Sequence, residues 1–193
     1  MTDTPKQGAR ERILEAAYDL FSRRGIRDVS VDEIISRSKV AIATFYRHFS
    51  SKDQLAEAFL NRREQVWTSE LIVAEAAKRS DNPVDQLLAI FDIFDEWFAS
   101  KDFEGDSFVK VLLEMGPEHP LGKASIAHLN TVRSTIRGIA ERAGLTDLDE
   151  FAHSLQILMK GCIITATMGD RGAGARAKLM AEGLIRDHTP AAE

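Results

Sequence analysis

Residues 10–24, RERILEAAYDLFSRR, set Ile13, Ala16, Ala17, Leu20 and Phe21 at i, i+3, i+4, i+7 and i+8. This is a single apolar stripe on an amphipathic helix, and the residues after it narrow the options further. Gly25 stands just past the last turn, where a left-handed cap is often needed. In Val29-Ser30-Val31-Asp32-Glu33-Ile34, Ser30 and Glu33 form an S-x-x-E capping box, and Val29 and Ile34 occupy the positions of a hydrophobic staple. A second helix therefore starts at residue 30 and runs to about Arg37, after which Lys39-Val40-Ala41 must turn the chain. Helical spacing from Ala41 to Phe49 puts Ile42, Phe45 and Phe49 broadly on one side, while Thr44, Arg47 and His48 point elsewhere. A fresh N-cap follows, either Ser50 with Asp53 or Ser51 with Gln54. Three short helices precede a long one, and a tight turn joins the second to the third. This is the layout of a helix-turn-helix, whose second element enters the major groove by its N-terminal end.

Arg12-Ile13-Leu14 through Phe21, Gly25, Val29-Ser30-Val31 with Ile34, and Thr44-Phe45-Tyr46-Arg47-His48-Phe49 with Lys52 and Leu55 resemble the TetR family of bacterial regulators. About 45 residues match in order and spacing. Two positions depart from the family pattern. The turn usually carries Gly before the Val and a small polar residue after it, and here Lys39 and Ala41 stand there. Either Lys39 adopts a left-handed conformation or the turn differs slightly.

The head of the third helix is small or apolar: Ala41, Ile42 and Ala43 allow close approach to the groove floor and can touch thymine methyls. The resemblance implies that Thr44 and Tyr46 lie on phosphates, fixing register without reading sequence. Arg47 and His48 are candidates for base or phosphate contact, and Lys39 adds a cation near the same face. Lys52, in the first turn of the fourth helix, is expected to meet a phosphate beside backbone N–H groups, and Ser30 could do the same at the start of the second. The expected division is a DNA-binding domain over residues 1–50 and a larger helical domain over 51–193.

Beyond residue 51 the pattern remains helical. No Gly or Pro interrupts residues 52–78, Asn82-Pro83 gives an N-cap followed by Pro at the first helical position, and Gly116-Pro117-Glu118-His119-Pro120 is a breaker. Long helices follow from about Leu121 to Ala143 and from Leu148 towards Gly169, with a last one over ARAKLMAEGLIRDH. Sustained alternation and hairpin dipeptides are missing, so the fold expected is all-α with about nine helices. The resemblance implies that the last two long helices pair with their copies in a homodimer, with Gly161, Ala166 and Gly169 permitting close approach. It also implies a cavity for an unknown small-molecule effector in the body. Trp67, Phe91, Phe94, Trp97, Phe98, Phe103, Phe108, Leu112, Met115 and Phe151 are the apolar supply for it, which favours a hydrophobic or aromatic ligand.

Charge agrees with contact to phosphate at one end. Residues 1–55 carry ten Lys/Arg against eight Asp/Glu, a net +2, within a chain of net −5. No apolar run approaches the roughly 20 residues that span a bilayer, and MTDTPKQGARER lacks the apolar stretch of a signal peptide, so a cytoplasmic location is expected. The single cysteine, Cys162, lies in an apolar run without flanking bases and is expected to be inert core. There is no Gly-rich phosphate loop, nucleophile elbow or H-E-x-x-H, so neither an enzyme, a metal site nor a cofactor is expected. The sequence thus points to a sequence-specific DNA-binding regulator, by analogy a repressor released from a pseudo-palindromic operator by its effector. The alternative is a helical adaptor or architectural protein of the same fold without a small-molecule ligand.

Overall fold

The computed structural model describes residues 8–66, 73–101 and 103–191. Ten α-helices and no strand occur among them: α1 Ala9–Arg24, α2 Val31–Ser38, α3 Ile42–His48, α4 Lys52–Glu64, α5 Glu75–Arg79, α6 Pro83–Ala99, α7 Ser107–Met115, α8 Pro120–Arg142, α9 Leu148–Thr167 and α10 Ala173–Asp187. The count exceeds nine because the stretch expected as one helix over 52–78 departs from α geometry. α4 gives way to a π-helical turn at residues 65–66, residues 73–74 are again π-helical before α5, and the span between lies outside the described residues. A π turn needs no Gly or Pro, so nothing in the sequence announced it. Among the described residues, no helix is long and apolar enough to cross a membrane.

The chain packs as two compact units. The first joins residues 1–63 to 107–126, and the second joins 64–106 to 127–193. The first unit therefore reaches past residue 50 to take in nearly all of α4, α7 and the start of α8.

In the first unit the apolar stripe of α1 closes on α2 and α3. Ile13, Ala17, Ile26, Val29, Ile34, Phe45, Leu55, Phe59 and Leu60 are all sealed from solvent. Phe59 receives Tyr18 and Phe21 edge-on at 5.5 and 5.7 Å between ring centroids. Burying a Phe of this kind contributes roughly 1.5–3 kcal/mol. The caps follow the sequence. Ser30 Oγ accepts from Glu33 N–H at 3.1 Å, and of the two candidates before α4 it is Ser51 that caps, its Oγ accepting from Gln54 N–H at 3.1 Å. The Gln54 side-chain carbonyl reaches one residue further back, accepting from Ser50 N–H at 2.7 Å.

The second unit is built on α6, which packs against α9 and α10. Its core includes Leu87, Ile90, Phe91, Phe94, Ile136, Phe151, Leu155, Met159 and Ile163. Asn82 Oδ1 accepts from Val84 N–H at 2.9 Å, so the expected Asn-Pro start of α6 is present. Cys162 is buried in this core, and burial pushes its thiol up to about 12.

Candidate nucleic-acid interface

The turn between α2 and α3 is a Schellman closure built without glycine. Lys39 takes the left-handed conformation, with φ 53° and ψ 46°. Its N–H reaches Ser36 O at 3.3 Å, and Val40 N–H reaches Ile35 O at 3.4 Å. Arg12, across on α1, donates from Nε to Ser38 O at 3.3 Å and so satisfies another carbonyl at the end of α2. Arg37 pairs with Asp19, and Arg23 Nε lies 3.0 Å from the same carboxylate.

This scaffold splits α3 into two faces. Phe45 is fully buried and Phe49, which ends the helix, is 2% exposed, whereas Ile42 is 60% and Tyr46 52% exposed. Ile42 therefore stands on the solvent face, one turn before Tyr46, and not with Phe45 and Phe49 as the spacing had suggested. Ala41, Ala43 and Arg47 share the exposed side, and Thr44 and His48 are half-buried. Tyr46 keeps an edge-on contact with the buried Phe45 ring at 5.2 Å, which steadies the ring and leaves it half in solvent. Ala41 precedes α3 without a side-chain cap.

Around α3 the cationic groups are placed but not used up. Lys39 is exposed. Lys52 Nζ lies 3.4 Å from Arg27 O, and an ammonium has two further protons to donate. Ser30 spends an acceptor lone pair on its cap and retains its O–H. Arg24 is tied to Glu33 at 2.5 Å and to Asp28 O at 2.7 Å, so it belongs to the solvated face of α1. All ten candidate DNA contacts thus lie in the first unit.

The ten apolar candidates for an effector cavity do not fall in one unit. Phe108, Leu112 and Met115 lie on α7 in the first. Phe91, Phe94, Trp97, Phe98, Phe103 and Phe151 lie in the second. Of these, Phe91, Phe94 and Phe151 are fully buried, and Trp97, Phe98 and Phe103 are half-buried in a ring cluster with Trp97–Phe103 centroids 4.7 Å apart. Trp67 lies outside the described residues. Among the described residues no three His, Cys, Asp or Glu side chains gather as a metal site.

Several polar contacts escaped the sequence reading. His128 Nδ1 lies 2.7 Å from Glu64 in the second unit, and Lys160 pairs with Asp106 at 2.6 Å. In the first unit Glu114 accepts from the backbone of Ile26 and Arg27. Sequence separations of 54 to 88 residues leave no local signature for such pairs.

The second unit also presents an apolar face. Ile157, Ile164 and Met168 on and just after α9, with Leu179 and Met180 on α10, are exposed large hydrophobics. A groove of about 330 Å³ between the two helices is lined in part by Ile157, Leu158, Gly161, Ala177 and Met180.

A recognition helix held on a buried aromatic base and led in by a tight turn defines a helix-turn-helix module. Residues 13–59 match the family model for bacterial regulatory proteins of the tetR family. The HTH-type transcriptional repressor Rv3405c of Mycobacterium tuberculosis is 43% identical over 58 residues, covering 30% of this chain and 31% of its own. The HTH-type transcriptional regulator YvdT of Bacillus subtilis is 30% identical over 121 residues, 62% of this chain and 60% of its own. The chain thus spans about a third of the length of the curated relatives it matches first. Across nearly the whole length it superposes on SCO4454, a TetR-family transcriptional regulator from Streptomyces coelicolor, with a TM-score of 0.88 at 28% identity over 97% of this chain and 92% of that one. Residues 13–59 thus carry the helix-turn-helix of the tetR family, and the chain as a whole has the fold of a TetR-family regulator.

Proposed function

We propose that this protein is a sequence-specific DNA-binding transcriptional repressor that acts in the cytoplasm as a homodimer and leaves a pseudo-palindromic operator when a small hydrophobic or aromatic effector binds. The observation that carries the reading is the division of α3: Phe45 is sealed in the core while Ile42 and Tyr46, on the opposite face, stand more than half exposed. An apolar tip and a phenol hydroxyl presented together suit thymine methyls and phosphate oxygens in a major groove. Thr44, Arg47, Lys39 and Lys52 supply register and charge, Ala41 and Ala43 supply clearance, and Ser30 and His48 flank them. One such helix covers only a few base pairs, so two must act together. The apolar face of α9 and α10 supports pairing of two copies there. The ring cluster of Trp97, Phe98 and Phe103, packed on the core that holds Phe91, Phe94 and Phe151, supports an aromatic or hydrophobic effector held in the body.

The test is selection of duplexes from a random-sequence library, followed by titration of the recovered site against salt. A repressor of this kind yields a two-fold symmetric site, and its affinity falls steeply as salt rises. A helical adaptor enriches no sequence and shows no such dependence, which overturns the reading. Thermal scans against a panel of aromatic and aliphatic small molecules test the effector, because a ligand of the folded state raises the melting temperature.

A further inference from the structure

The corner between α1 and α2 is held by a helix from far along the chain. α1 ends at Arg24, and Gly25 turns the backbone at φ 85°. The amides of Ile26 and Arg27 then lie beyond the end of α1. Glu114 on α7 receives both of them: Oε2 accepts from Ile26 N–H at 3.0 Å, and Oε1 accepts from Arg27 N–H. One turn earlier on the same helix, Lys110 Nζ donates to Ser22 O at 3.1 Å. The polarities match. The cation meets a carbonyl in the last turn of α1, where the helix dipole is negative, and the anion meets the free amides just beyond. Gly25 suits the positive φ, and a methyl group there would sit 3.0 Å from Glu114 Oε2, so that the carboxylate would have to shift.

This corner leads directly to DNA-facing groups. Ile26 and Val29 dive into the core, and Ser30 then caps α2. The Arg27 backbone is held on both sides of its α-carbon, its N–H donating to Glu114 and its carbonyl accepting from Lys52 Nζ. We propose that Glu114, seconded by Lys110, is a positioning residue for DNA binding: it fixes the Arg27 backbone and through it the ammonium of Lys52 in register for a phosphate. Glu114 itself touches no DNA. The inference rests on the DNA-binding reading above.

The experiment compares wild type, Glu114→Gln, Lys52→Ala and the double variant on a duplex that the wild-type chain selects from a random-sequence library. Glutamine keeps the volume but offers one acceptor and one donor where two acceptors are needed. Each single variant is expected to bind roughly ten-fold more weakly, the equivalent of one charge-assisted hydrogen bond. Each should also flatten the log–log salt dependence by about 0.9, the share of one phosphate. The double variant should be no worse than either single one, because both remove the same contact. Unchanged affinity in Glu114→Gln, an unchanged slope, or additive losses in the double variant overturns the clasp. Additive losses with a lowered melting temperature assign Glu114 to general stability instead. A wild-type chain that selects no duplex overturns the DNA-binding reading and the clasp with it, whereas selection by wild type with an indifferent Glu114→Gln overturns the clasp alone.

Discussion

The α-carbon of Gly174 lies against the carboxylate of Asp95, so closely that a methyl group there would overlap the carboxyl and come within 3.0 Å of Phe91 O. Asp95 Oδ1 is buried without a well-formed hydrogen bond. Burial raises the pKa of this acid, and the amides of Gly174 and Ala175 at the start of α10 pull it only part of the way back. The folded chain thus holds this proton more tightly than the unfolded chain does. The stability this group contributes is fully present below the unfolded pKa and is lost as pH rises from there through the raised folded value. Asp95→Asn should therefore melt at the same temperature as wild type or higher at pH 7, and the difference should vanish in acid, where the wild-type carboxyl is also neutral. Gly174→Ala should lose about 1–3 kcal/mol through overpacking. Thermal scans across pH on both variants check the pair.

Lys39 carries a backbone cost that glycine would not. A left-handed L-residue costs roughly 1–2 kcal/mol, part of which glycine returns through its greater freedom when unfolded. Lys39→Gly should gain up to about 1 kcal/mol in urea denaturation. It should also flatten the salt dependence of operator binding by about 0.9 if the ammonium meets a phosphate. A stabilised variant with an unchanged slope would remove Lys39 from the interface.

Within α3, register and readout should separate. Tyr46→Phe and Thr44→Ala should weaken binding to all duplexes alike, by roughly ten-fold each, since phosphate contacts carry no sequence information. Replacing Ile42 or Arg47 should instead change which base pairs are preferred, by about 1–3 kcal/mol at one position of each half-site. Competition assays against single-base variants of the selected site distinguish the two. Tight operator binding by the Tyr46→Phe, Thr44→Ala double variant would refute the docking.

With its thiol pushed up to about 12 and its side chain buried, Cys162 should resist modification. Alkylation by iodoacetamide at neutral pH should proceed only at the rate of unfolding and become rapid in denaturant. Rapid labelling of the native chain would show that the α9–α10 groove opens to admit reagents.

Local signals carried the first fifty residues well. The S-x-x-E box at Ser30 and Glu33, the Asn82-Pro83 start and the stripe of Ile13, Ala17, Leu20 and Phe21 all specify backbone or burial within one or two turns, and a sequence displays such relations directly. The choice of Ser51 over Ser50 was hidden because both serines satisfy the same spacing, and only the trajectory after Phe49 decides between them. Spacing alone set Ile42 broadly on one side with Phe45 and Phe49, while its expected place at the groove required it to face out; a seven-residue helix holds too few apolar positions to define a face. Lys39 shows a different limit: the Schellman bonds require a left-handed residue whatever its side chain, so a missing glycine does not mean a missing turn. Glu114 on Ile26 and Arg27, and His128 on Glu64, were beyond reach because nothing local fixes their partners.

The apolar face of α9 and α10 has a consequence for how such a protein would report on its own abundance. If two chains must meet there before a pair of α3 helices can reach successive grooves, operator occupancy at low expression rises with the square of chain concentration. A modest change in synthesis then produces a sharper change in occupancy, and the steepness is set by Ile157, Met180 and their neighbours, far in sequence from every base the protein would read.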